Sequence, residues 1–520
     1  MTVQVQPRLT LDGPLRARAA SHQFIAQVSG RPSFILPKTA ASSLLFRRDT
    51  WTTAFWTLVI MIRNVMCSTA VAWLANLWYS RGNVFSPSLP GEQSHESFLT
   101  AVIVWTYLLN CILNILFQAT RLFPNKFTRW PDRRPSFLYC VWRIVQGSYI
   151  HFLISVVVLV GLGVLCSRVP RSWRKFKLEF YLASTLTQYY YTVADMVARR
   201  VYQEDTVPGQ MKLAARLAST DPQRQRPPTC RRVARVFFQN LPSLLSICFS
   251  GLYVHVVSLT TSSLSMEMMM FVIVSMAMKL VVQELAKYYV MQKHVTHIRN
   301  MCIVVGIPTV LINTQVRIVI MNMQDAQSTM LGTWLMAIIE VLLRLGKVLI
   351  LRWQIRREEA KTLPIRPSQA ASETPLDPVT GFTTVATTHP ASTDDKTKFR
   401  EWRTQMLALH TAEIYADMYA EYIAMGCSSS IYFFCSNHRQ YTLGVASSGD
   451  QAAPHMNQFL LLLVQVAIEA VVDYVSCIVE ILNGIDFEHF NGFGLFLGSL
   501  FTVTALLNVS MSAVLYIAPT

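Results

Sequence analysis

Charge is what this chain has least of. Asp, Glu, Lys and Arg make up 15% of its 520 residues, against roughly 25% in ordinary soluble domains. The signatures of common soluble catalysts are missing too. There is no GxxxxGK[ST] phosphate loop, no GxSxG elbow and no HExxH helix, so ATP-driven, serine-hydrolase and zinc-protease chemistry lose their usual supports. The ten cysteines form no CxxC pair, which leaves neither a zinc site nor a disulfide framework indicated. The longest polar connections, 199–235 and 354–400, are too short for a separate catalytic domain. The chain is therefore not expected to be an enzyme, and neither a metal nor a cofactor is expected. Met1–Thr50 also lacks the apolar core of roughly 7–15 residues that a secretory signal needs.

What is present is apolar. Hydrophobic residues reach 52% and the mean hydropathy is +0.33. They fall in blocks of about 20, the length a helix needs to cross about 30 Å of hydrocarbon. This implies an all-α, polytopic helical membrane protein of about eleven spans, or about ten if the Tyr-rich stretch Leu178–Ala198 lies at the interface. Residues 1–50 hold seven Lys/Arg against two acids and read as a basic cytoplasmic tail. A mitochondrial presequence is the other reading, although Pro7, Pro14, Pro32 and Pro37 interrupt any continuous amphipathic helix there. Residues 51–353 read as a membrane region with a basic loop at 199–235, and 354–400 as a Ser/Thr/Pro-rich, disordered linker. In 401–520 an acidic amphipathic helix leads to a short span at Tyr419–Cys435 and two more at Phe459–Leu482 and Phe493–Ile517.

The net charge is +16, and it gathers in short connections such as TRLFPNKFTRWPDRRP, as topology determinants do. Anionic lipid headgroups are then the expected partners, and nucleic acid is not. The membrane is expected to be the plasma membrane or an endomembrane, with the mitochondrial inner membrane as the alternative.

One span breaks the apolar rule. In FLLLLVQVAIEAVVDYVSCIVEIL, Gln465, Glu469, Asp473, Ser476 and Glu480 share an arc of about 80° at ~100° per residue. Carboxylates at that depth are too costly to face lipid, so the stripe must line the bundle interior or an aqueous cavity. Its functional meaning is a cation or proton pathway. Its structural meaning is half of an internal ion pair, for which Arg63 is the first candidate partner and Arg143 and Arg317 are others. Glu340 and Arg344, four residues apart, are expected to neutralise each other, with Lys347 reaching the inner interface.

Three further patterns carry less. His410, Glu413, Asp417 and Glu421 share one helical face, which reads as a solvated surface at the membrane edge, although such a set could also hold a divalent cation. His294 and His297 form one HxxH in a basic loop. Gly494–Gly498 is a GxxxG that favours close helix contact, either within the chain or between copies in a helix-mediated oligomer. The stripe favours a secondary transporter or channel for a cation or a proton-coupled solute; the alternative is a non-transporting scaffold or subunit of a membrane complex.

Overall fold

A computed structural model describes residues 48–129, 135–167, 176–219, 248–249, 251–256, 265–292, 298–322, 326–362, 393–436, 438–443, 452–482 and 494–518. Among these the protein is all-α, with no strand beyond two isolated antiparallel bridges, Phe127 with Thr206 and Tyr441 with Ile517. The helices are α1 (Arg48–Arg81), α2 (His95–Leu122), α3 (Phe137–Ser167), α4 (Leu178–Asp205), α5 (Val207–Ser219), α6 (Ser265–Gln292), α7 (Ile298–Asn322), α8 (Ala326–Thr362), α9 (Thr393–Cys435), α10 (Ala452–Leu482) and α11 (Gly494–Leu515).

Six stretches among the described residues are long and apolar enough to cross a membrane: Trp51–Arg81, His95–Leu122, Phe137–Leu165, Met301–Met321, Leu462–Leu482 and Gly494–Leu515. This is the architecture of an integral membrane protein. The sequence led to about eleven spans. The other expected spans either fall on α4, α8 and α9, whose polar and charged residues lower their hydropathy, or run into residues outside those described.

Several expected boundaries need correction. The linker expected at 354–400 is helical at both ends, since α8 continues to Thr362 and α9 begins at Thr393; the part between lies outside the described residues. Arg and Glu, as at Arg356, Arg357, Glu358 and Glu359, are good helix formers, so polar composition alone hid these turns. The loop expected at 199–235 is helical as far as Ser219, through the end of α4 and then α5. The short span expected at Tyr419–Cys435 is only the last part of α9, a helix of 43 residues. The basic tail 1–47 and the HxxH histidines lie outside the described residues.

The chain divides into two compact units, one of residues 1–53, 103–241 and 495–499, the other of residues 54–102, 242–494 and 500–520. In the first unit α3 and α4 approach closely: a Cβ added at Gly147 would lie 2.5 Å from Val197 Cγ1. Two small cores form around them, one with Leu122, Cys140, Ile144 and Val201, the other with Tyr107, Leu159, Leu186 and Tyr190. The buried Asp195 is held by Arg121 at 2.5 Å and Arg199 at 2.8 Å. Leu153, Val157, Val160 and Val164 of α3 stay exposed, as a lipid-facing side requires.

In the second unit α7 is the central helix, with 89% of its apolar stretch buried. It runs unbroken across Pro308. Polar side chains tie α1 to α9 and α11 along their length. Asn64 donates to Tyr419 Oη at 2.9 Å, Ser68 meets Thr502 at 3.0 Å, Asn76 donates to Ser430 at 2.7 Å and Tyr79 meets Ser510 at 2.9 Å. Such bonds act as glue where lipid tails are as apolar as the helix surfaces. Asn508, whose NVS context resembles a glycosylation site, is fully buried and donates to Thr314. At Gly494 of the GxxxG an added Cβ would meet nothing within 4 Å.

A close helix approach lies at Gly426, where an added Cβ would sit 2.4 Å from Thr69 Cγ2. Gly426→Ala should therefore lower the thermal stability in detergent, by about 1–3 kcal/mol as an overpacked contact. Adding Thr69→Ala should restore part of the loss. An unchanged Tm for Gly426→Ala would contradict the α1–α9 packing.

Candidate functional site

Helical spacing brings chemistry together inside the second unit. Glu413, Asp417 and Glu421 recur every four residues on α9, so they form a file along one face. Lys279, Gln283 and Lys287 make a matching file on α6, and Thr309, Asn313 and Arg317 a third on α7. Arg344 and Lys347 on α8 complete the surround. All three carboxylates are buried, Glu413 to 1% exposure and Glu421 to 2%. The expected solvated surface is therefore corrected. A polar file looks the same in sequence whether it meets water or three other polar files, and here it meets the files.

The contacts alternate in sign along α9. Lys287 Nζ lies 3.0 Å from Glu413, and Lys347 Nζ lies 2.8 Å from the same carboxylate. Lys347 also reaches Asp417 at 3.0 Å, and Lys279 lies 3.7 Å from Asp417. Lys279 then reaches Glu421 at 3.2 Å, and Arg317 closes the ladder on Glu421 at 3.0 Å. Amides fill remaining valences: Gln283 donates to Asp417 at 2.7 Å and Asn313 to Glu421 at 2.5 Å. His410 Nδ1 stands 4.0 Å from Glu413. Lys347 does not snorkel; its side chain is 17% exposed and divided between two acids.

The stripe on α10 faces inward beside this ladder. Gln465, Glu469, Asp473, Ser476 and Glu480 are all buried. Asp473, with no exposure, pairs with Arg344 at 2.5 Å. Arg344 is thus joined across helices, and the side chain of Glu340 lies outside those described. Arg63 is exposed on α1 and does not serve as the partner: its neighbour Asn64 is the residue that turns inward, to Tyr419. Arg143 pairs with Asp205 at 2.5 Å in the first unit, and Arg317 with Glu421.

A small cavity lies against the ladder, lined by Lys279, Gln283, Arg344, Lys347, Asp417 and Glu421 together with apolar side chains. Its volume is about 20 Å³, above the ~10–15 Å³ that one water needs and far below the room a solute requires. Among the described residues no group of three or more His, Cys, Asp or Glu is placed to hold a metal ion. Sequence reasoning missed Lys279, Gln283, Lys287, Thr309 and Asn313. The signal was there, because each set recurs every fourth residue within an apolar block.

Comparison with protein-family models, curated proteins and solved structures finds no match to this chain.

The Arg344–Asp473 pair gives a direct test of the geometry. Asp473→Asn should cost about 3–5 kcal/mol, since it strands a buried guanidinium. Replacing both residues by Leu should recover much of that loss, read as Tm in detergent. Equal losses for the single and the double replacement would contradict the pairing.

Proposed function

We propose that this integral membrane protein is a secondary transporter or channel for a cation or a proton-coupled solute, with the buried charge network as its working part. The observation that carries the reading is the alternating ladder itself, with a water-sized cavity at its side. Fixed charges in a membrane bundle are expensive, and well-packed apolar residues would often hold the helices as well or better. Ionisable groups kept at that depth commonly mark ion paths and proton relays. Here acids and bases stand within a few ångströms of one another on five helices, so a proton or cation entering the network changes several pairings at once.

The completeness of pairing along α9 favours a second reading, in which the ladder locks the helices of a membrane scaffold. Reconstitution separates the two. Purified protein in liposomes should dissipate an imposed gradient of H⁺, Na⁺ or K⁺ faster than empty vesicles do. Asp417→Asn, which takes an acid out of the centre of the ladder, should reduce that flux to near the empty-vesicle rate while the protein still elutes as a folded species. Parent vesicles as tight as empty ones under all three gradients would remove the transport reading and leave the scaffold.

A further inference from the structure

Glu480 is an acid that no cation among the described residues pairs. Six buried carboxylates, Glu413, Asp417, Glu421, Glu469, Asp473 and Glu480, stand among five cations, Lys279, Lys287, Arg317, Arg344 and Lys347, in the described part of the second unit. Glu480 is 2% exposed. Both of its carboxyl oxygens are buried without a hydrogen-bond partner, and no cation among the described residues reaches ion-pair distance of it.

The groups that face Glu480 are already committed. From α8, Arg344 is held by Asp473, and Lys347 by Glu413 and Asp417. From α9 come Asp417 and the Tyr415 ring, and from its own helix Asp473 and Cys477. A bare carboxylate in such a place is strongly disfavoured, and a proton is the smallest species that removes the cost. Among the described residues no converging ligand set is placed to hold a metal ion there.

We propose that Glu480 carries an exchangeable proton and is a proton-binding residue of the network. Release breaks the O–H bond, leaves a carboxylate near Arg344 and Lys347, and passes the proton to water; uptake reverses this. The proposal deepens the transport reading by naming the ion and its carrier, but its test needs no transport.

The test is labelling of the full-length protein in detergent with dicyclohexylcarbodiimide, an apolar reagent selective for protonated carboxyls. The acid adds across a C=N bond, its proton goes to nitrogen, and acyl migration leaves a stable N-acylurea that mass spectrometry maps. The expected result is modification at Glu480 that declines as pH is raised, is indifferent to Na⁺ at fixed pH, and falls to background in Glu480→Gln. That variant, an isostere of the neutral acid, should also keep the parent's Tm. Absence of label at Glu480 at every pH, labelling independent of pH, or protection by Na⁺ would overturn the proton assignment. So would a Glu480→Gln protein as unstable as Asp473→Asn, because Glu480 would then be a charged partner. Labelled Glu480 in a protein without flux keeps this inference and removes transport; flux with Glu480 unlabelled does the reverse.

Discussion

Three carboxylates one helical turn apart on α9 cannot be buried by themselves. Like charges at i and i+4 repel along an isolated helix, and each alone would be costly away from water. Lys347 lies between Glu413 and Asp417, and Lys279 between Asp417 and Glu421. The cations thus enter where the acids would repel. The buried path of α9 therefore depends on α6 and α8 being in place, and the end of the ladder depends on Arg317 of α7. Removal of one rung exposes its neighbours to uncompensated charge, which is why a network of this kind has higher stakes than its separate pairs.

That constraint also explains why the second unit differs from an ordinary apolar bundle. Helices in lipid gain little from burying Leu against Leu, so small residues and polar contacts decide which faces meet. On one side of α9 those contacts are neutral: the Asn64–Tyr419 and Asn76–Ser430 bonds to α1, with Gly426 against Thr69 between them. On the other side they are ionic. A single long helix therefore carries two adhesive faces, one that positions it and one that holds charge. A water-sized cavity lies beside the ionic face.

Much of this was legible in the sequence, and the limits have a physical cause. Helical blocks about 20 residues long announce membrane helices, and the stripe from Gln465 to Glu480 announces an inward face because lipid excludes carboxylates. Neither says which distant cation lies opposite. Arg63 and Arg344 both stand in apolar blocks, and only the three-dimensional arrangement sends Arg344 to Asp473 and leaves Arg63 exposed. The acidic face of α9 was misread for a related reason: amphipathic spacing reports that a polar face exists, not what covers it. The lone lysines of α6 were passed over because a single Lys in an apolar block is a weak signal until a matching acidic file is seen on another helix.

The central claim is that α9 is held by charges reaching it from separate helices. A double-mutant cycle on Arg317 and Glu421 in detergent tests it most directly, with each residue changed to Leu alone and together. The account predicts that the two single losses exceed what the double variant loses, with a coupling of about 0.5–3 kcal/mol, the range for residues in one network. Additive losses, with no coupling between the two positions, would contradict it.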